Sequence, residues 1–276
     1  MSEPKTCGFM SEPWRVTLLG GGPRAERASD RAEITRFYTQ KYAALMAYLS
    51  FYRDRQHARE VLVAMLWPYS PRRQGLNSLS VALSSLRHQL EPPGTPAGGV
   101  LLADRFNVGL NPAALTTDVS EFEEALRAVE AAAAASKNGG SNNGGGGGRG
   151  RAEVRERLAR VLELYRGPLL PGHYEPWIAP EQERLAGRFV DAAGALITLL
   201  EAEGDLSAAL AVARRAVAAD PLREEGQHHL IRLLAASGQD GAALRQYREF
   251  ARLLEEDTGD EPSPALRALV PASGDA

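Results

Sequence analysis

The chain of 276 residues has a single cysteine, Cys7. It can close no disulfide on itself, which excludes a disulfide-stapled secreted scaffold and leaves stability to buried apolar surface. Long apolar runs are missing too. None approaches the roughly 18 residues of a spanning helix, so no membrane segment is predicted. The opening residues, MSEPKTCGFMSEPW, lack the charged start and apolar run of a secretion leader, and the expected compartment is the cytoplasm. Histidines number five and, with the lone cysteine, offer no metal-ligand spacing. His228 and His229 are adjacent, so on a helix they point about 100° apart and cannot form an i, i+4 pair. No lysine followed by Ser or Thr closes the glycine-rich run SKNGGSNNGGGGGRG at 136–150, which excludes a phosphate loop. No serine sits in a glycine-framed nucleophile elbow. The sequence therefore predicts no cofactor, no metal and no enzyme. Carboxylate pairs such as Glu123 with Glu124 and Glu255 with Glu256 read as solvated helix faces.

What is present suits a soluble globular chain: 44% hydrophobic and 24% charged residues, enough for a sizeable core. The charge is unevenly spread. Residues 1–112 carry 14 Lys+Arg against 9 Asp+Glu, whereas the remainder carries 18 against 26. A basic front and an acidic back fit a nucleic-acid module joined to one that does not touch nucleic acid.

Residues 1–13 read as a tail and 14–19 as a strand ended by Gly20, Gly21, Gly22 and Pro23. Residues 24–33 show no clear pattern, and 34–37 read as a short strand. Thr39 is placed to cap a helix reaching about Tyr52. A second helix is expected from about His57 to Trp67, stopped by Pro68. A third has Pro71 in its first turn and runs to about Leu90. Residues 100–103 and 107–110 flank the polar corner Asp104, Arg105, Phe106 and read as a hairpin. Strands, three helices and a hairpin are the order of a winged helix-turn-helix, spanning 14–112. Its third helix would enter the major groove and its hairpin would touch the neighbouring backbone.

The back half reads as helical. Asp118 or Ser120 is expected to cap a helix from about 119, residues 136–150 form a flexible loop, and helix resumes from about 151 to 165. Sliding residues 196–214 forward by 34 lays LITLLEAEGDLSAALAVAR over LIRLLAASGQDGAALRQYR, with ten of nineteen positions identical. That period is the tetratricopeptide one. Gly204 and Gly238 stand at the turns, Ala208 with Ala209 and Ala242 with Ala243 permit close helix packing, and Pro221 closes the first unit. Such units bury their apolar faces only by stacking, and their surfaces dock proteins. The fold class expected is mainly α: an N-terminal winged helix-turn-helix (α+β) followed by an all-α tetratricopeptide-like helical repeat domain over 117–270.

On the third helix Leu76, Leu79, Leu83, Leu86 and Leu90 make one apolar stripe. The opposite face is polar. Asn77, Val81, Ser84 and His88 are the expected base readers: an amide suited to adenine, an apolar group suited to a thymine methyl, and small donors and acceptors. Arg72, Arg73, Arg87 and Arg105, with Asn107 on the hairpin, are the expected phosphate and wing contacts. Trp67 and Trp177 read as core anchors rather than stacking platforms.

Three stretches, HAREVLVAMLWP (57–68), NSLSVALSSLRHQLEP (77–92) and VLLADRFNVGLNP (100–112), resemble the OmpR-type winged helix of SARP-like bacterial activators. TDVSEFEEAL (117–126), LELYRGPLLPGHYEPWIAPEQERL (162–185) and GDEPSPALRAL (259–269) resemble the bacterial transcriptional activator domain. The resemblance implies a cytoplasmic, nucleoid-associated regulator that binds double-stranded DNA through its third helix and wing, as a homodimer on direct repeats. It also implies recruitment of RNA polymerase by the loop Trp67, Pro68, Tyr69, Ser70 and Pro71, with a protein partner on the repeats. Where many SARP-like members carry arginine, Ser80 and Ser85 stand here. A competing reading is a protein-interaction scaffold whose winged helix no longer binds DNA.

Overall fold

Strand β1 (Trp14–Thr17) buries Trp14 and Val16 and turns Arg15 and Thr17 outward. It is followed by β2 (Arg24–Arg27) and β3 (Ala32–Ile34). Then come α1 (Gln40–Phe51), the two-residue strand β4 (His57–Ala58), α2 (Arg59–Leu66) and α3 (Arg72–Leu90). Strands β5 (Leu101–Ala103) and β6 (Asn107–Leu110) form an antiparallel hairpin, and β7 (Leu115–Thr117) follows a single 3-10 turn. The computed structural model describes residues 13–93, 95–96, 98–138 and 146–270. The chain divides into two units: residues up to Glu121 together with Leu169–Ala179, and Phe122–Pro168 together with the residues from Pro180 on.

In the first unit one sheet has the order β3-β2-β1-β7, with β1 and β7 parallel and the other pairs antiparallel. The second sheet is β4-β6-β5. Strand β2 and most of β3 fall within residues 24–33, where the sequence shows no clear pattern. The alternation is masked because the inward residue near the end of β2 is charged. Arg27 is buried, its guanidinium 4.6 Å over the Trp14 ring and paired at 2.6 Å with Asp30. The strand expected at 34–37 instead ends at Ile34, and β7 was not anticipated. The second helix starts at Arg59, because His57 and Ala58 pair with Val108 and Asn107 of the hairpin.

The helix signals are mostly local and appear where expected. Thr39 caps α1, its hydroxyl accepting from the Tyr42 N–H at 3.4 Å. Pro71, expected in the first turn of α3, instead sits one residue outside it, at the N-cap. At the end of α3, the Leu90 carbonyl accepts from the Trp14 indole N–H at 3.0 Å, so the helix is tied to β1.

At Gly75 helices α2 and α3 approach closely. A Cβ built there would lie 2.3 Å from Val63 Cγ1. Gly75→Ala gains about 1 kcal/mol of helix propensity but overpacks a site where such strain costs about 1–3 kcal/mol. The strain wins, because Val63 is buried and β-branched and has one comfortable rotamer in a helix. Gly75→Ala is therefore expected to lower the urea midpoint, and Val63→Ala in that background to recover part of the loss. The double-mutant cycle should show coupling of about 1 kcal/mol. All three tryptophans, Trp14, Trp67 and Trp177, belong to the first unit, so indole fluorescence reads its unfolding. A neutral Gly75→Ala would refute the close approach.

The segment Leu169–Ala179 packs into this first unit. The Leu170 N–H donates to the Leu18 carbonyl at 2.8 Å, and Trp177 lies 5.4, 5.2 and 5.7 Å from the rings of Tyr48, Phe51 and Tyr52.

The rest is helical: α4 (Asp118–Asn138), α5 (Gly146–Leu164), α6 (Ile178–Ala202), α7 (Leu206–Ala219), α8 (Glu224–Ala236), α9 (Asp240–Thr258) and the short α10 (Pro264–Arg267). Neither Asp118 nor Ser120 is the cap of α4. Thr117 takes that role, its Oγ1 accepting from the Ser120 N–H at 2.9 Å while Ser120 Oγ accepts from the Thr117 N–H at 3.1 Å. The loop expected over 136–150 is narrower, since α4 reaches Asn138 and α5 begins at Gly146. Residues 139–145 of that expectation lie outside the described residues. Helix propagates outward from the buried face of α5, Leu158, Val161 and Leu162, at a cost of about 1 kcal/mol per glycine.

In the second unit the repeat turns are as the 34-residue period requires. Gly204 and Gly238 have φ of 80° and 70°, with open space where a Cβ would sit, so the backbone conformation demands glycine rather than crowding. Ala209 and Ala243 are fully buried. Arg232 forms a two-pronged ion pair with Glu201 at 2.5 and 2.8 Å, linking α8 to α6.

Candidate nucleic-acid interface

The leucine stripe of α3 is sunk in the first unit: Leu79, Leu83, Leu86 and Leu90 are at most 3% exposed, and Leu76 is half-buried. The helical period then turns Asn77, Val81, Ser84 and His88 outward, and all four are exposed. Val81 is 60% exposed, an apolar group standing free in the middle of a polar face. The loop before the helix divides. Trp67 is buried, with the Lys41 ammonium 5.6 Å over its ring, whereas Pro68, Tyr69 and Pro71 are exposed and Ser70 is half-exposed. Tyr69 is 99% exposed.

The cationic candidates differ in what holds them. Arg73 is exposed at the start of α3 and has no ion pair among the described residues. Arg72, also exposed, is paired with Glu60 of α2. Arg87 is half-buried, donating to the Leu101 carbonyl at 3.1 Å and paired with Glu91 at 3.3 Å. Arg105 stands at the hairpin corner, its guanidinium 4.5 Å over the ring of Phe106, which is 62% exposed. Asn107 and Arg87 both line a groove of about 470 Å³ beside the hairpin, with Gln56 and Asp104.

Three residues that sequence reasoning missed fasten this surface together. Glu91 is almost wholly buried and accepts from the Val100 and Leu101 N–H groups at 2.9 and 2.8 Å, tying the end of α3 to the hairpin. Arg59 donates to Ser80 Oγ at 2.7 Å and to the Asp104 carbonyl at 3.3 Å, so one guanidinium spans from α3 to the hairpin corner. Asp104 shapes that corner by accepting from the Asn107 and Phe106 N–H groups at 2.7 and 2.6 Å, and these donors hold its carboxyl below the usual carboxylate range. Among the described residues no group of His, Cys, Asp or Glu is arranged to hold a metal ion, and no helix is long and apolar enough to cross a membrane.

A small winged β-containing region with an otherwise helical chain defines a class, and comparison places the chain within it. The bacterial transcriptional activator domain matches residues 117–272, more than half of the chain, which belongs to that family. Over most of its length the chain is similar to SARP-like transcriptional regulators. Regulatory protein AfsR of Streptomyces coelicolor is 28% identical over 229 residues, covering 82% of this chain and 21% of AfsR. Transcriptional regulatory protein EmbR of Mycobacterium tuberculosis is 30% identical over 234 residues, covering 84% of this chain and 56% of EmbR. A solved structure of Mycobacterium tuberculosis EmbR in complex with a low-affinity phosphopeptide superposes with a TM-score of 0.68 at 26% identity, covering 94% of this chain and 64% of that one. The chain thus spans only part of the length of each of these relatives.

Proposed function

We propose that this regulator binds duplex DNA by laying α3 in the major groove, with Asn77, Val81, Ser84 and His88 against base edges. Arg73 and Arg72 anchor one flank, and the hairpin with Arg105, Asn107 and Arg87 anchors the other. It acts as an activator. The exposed Tyr69 with Pro68, Ser70 and Pro71 forms the loop offered to RNA polymerase, anchored by the buried Trp67, and the helical repeats serve dimerisation or a protein partner. The observation that carries this reading is the outward phase of those four side chains on a helix whose other face is buried. DNA recognition needs a rigid helix with an unoccupied side.

Selection of bound duplexes from a random pool, followed by titration at several salt concentrations, tests the proposal. One sequence family should emerge. Asn77→Ala should cost about 1–3 kcal/mol and relax preference at one base pair, whereas Arg73→Ala should weaken all duplexes alike and reduce the salt slope by about 1. Binding indifferent to sequence, or variants indistinguishable from the parent, would refute it.

A second reading, the scaffold without DNA binding, draws on Glu60 beside Arg72, Asp104 beside Arg105 and the internal ties of Arg87. These carboxylates reduce the positive potential available to phosphate. Capture of a stoichiometric protein partner with no salt-sensitive DNA affinity would favour it.

A further inference from the structure

Within the second unit a groove of about 800 Å³ runs between α7 and α9, floored by Val217, Leu230 and Ala242. Its lining includes Arg214, Arg245, Arg248 and Arg252, against one carboxylate, Glu249. All four arginines are exposed. Arg214 and Arg248 hold equivalent places 34 residues apart, so the repeat itself delivers a guanidinium from each second helix to the same groove. Arg245, Arg248 and Arg252 follow at i, i+3 and i+7 and share one face of α9. Arg252 is engaged by Glu249 at 2.9 Å and Glu256 at 2.7 Å, while Arg214 and Arg245 have no carboxylate partner among the described residues.

This cluster runs against its setting. Residues 113–276 carry 18 Lys+Arg and 26 Asp+Glu, yet the groove collects four cations around an apolar floor. The guanidinium groups of Arg214 and Arg245, with no carboxylate partner among the described residues, are suited to two-pronged hydrogen bonds with carboxylates. We propose that this groove binds an acidic segment of a partner protein, one that interleaves carboxylates with aliphatic side chains. The carboxylates meet the arginines and the aliphatic groups rest on Val217 and Ala242. The inference deepens the reading of the repeats as a protein-docking surface and rests on it. Nucleic acid fits less well, because phosphates gain nothing from the apolar floor, which suits the aliphatic side chains of a peptide.

Fluorescence anisotropy on the full chain provides the test, with a short fluorescein-labelled peptide of interspersed Glu and Leu as the probe. Binding should weaken as salt is raised. It should fall at least about tenfold for the same peptide with Gln in place of Glu, and by a similar factor for the Arg214→Glu, Arg245→Glu double variant. The milder Arg214→Gln, Arg245→Gln pair should fall in between, and an Asn77→Ala, Ser84→Ala variant should bind the peptide like the parent. The proposal is overturned by equal binding of the Gln peptide, by full affinity in both double variants, or by no binding of the Glu/Leu peptide. A duplex DNA that displaces the peptide and itself depends on Arg214 and Arg245 would also overturn it, by assigning the groove to nucleic acid. Failure of DNA reading by α3 shows in duplex titrations of the α3 variants and leaves the peptide titration unchanged, so the two readings fail separately.

Discussion

Asp118→Ala is expected to remove about 3 kcal/mol or more from the stability of the first unit. The Asp118 carboxylate is buried and accepts the Leu18 N–H through both oxygens at 2.9 and 3.0 Å, the Leu19 N–H at 2.9 Å and the Val119 N–H at 2.9 Å. It fastens the residues following β1 to the start of α4. Alanine strips that acceptor from buried backbone donors, each of which costs about 1–3 kcal/mol when left unmade. Asp118→Asn keeps one acceptor oxygen and should lose less. The pH dependence has a definite sign. Burial pushes the Asp118 carboxyl above its ordinary value, against the pull of the Leu19, Leu18 and Val119 N–H groups and the charge of Arg15. A raised folded-state pKa contributes stability that is fully present below the unfolded value of about 3.9 and is lost as pH rises through the folded value. The stability advantage of the parent over Asp118→Asn should therefore shrink as pH rises above about 4. Urea titrations read by indole fluorescence across that range would show it, and a difference flat with pH would contradict the burial argument.

The same residue shows what the sequence could and could not reveal. Helices α1 to α3, the hairpin and the repeat pairs were legible because their signals are local: the Thr39 cap, the leucine spacing of α3, and the positive φ that Gly204 and Gly238 supply. Asp118 looks like a helix cap in sequence, and its partners Leu18 and Leu19 lie about a hundred residues away. The register that aligns β1 with β7 sets that pairing, and no local pattern records it. Strand β2 was hidden because Arg27 occupies a core position and is satisfied there by Asp30 and the Trp14 ring. At the candidate interface the phase of Asn77, Val81, Ser84 and His88 followed from the buried stripe. The engagement of Arg72 by Glu60 and of Arg87 by Glu91 and Leu101 did not, because an arginine's partner depends on tertiary packing. The placement of Leu169–Ala179 with the first unit was equally invisible; periodicity marks a face as apolar without saying what covers it.

Val81→Glu is expected to lower affinity for the selected duplex by about a hundredfold or more while leaving the fold intact. The side chain is 60% exposed, so removing it uncovers no core, and glutamate is the better helix former. Stability should stay within about 0.5 kcal/mol of the parent. Asn77 precedes Val81 by four residues and Ser84 follows it by three, so the new carboxylate would project from the middle of the proposed reading face. There it would stand at close range to the negatively charged duplex. Like charges juxtaposed across an interface cost several kcal/mol, and about 1.4 kcal/mol is already tenfold. Ser207→Glu at the exposed start of α7 makes the same change in net charge away from α3 and should alter affinity little, which separates local repulsion from a general loss of attraction. If Val81→Glu bound its duplex as tightly as the parent, α3 would not be the reading helix. The exposed valine would then mark a protein contact, and the scaffold reading would take precedence.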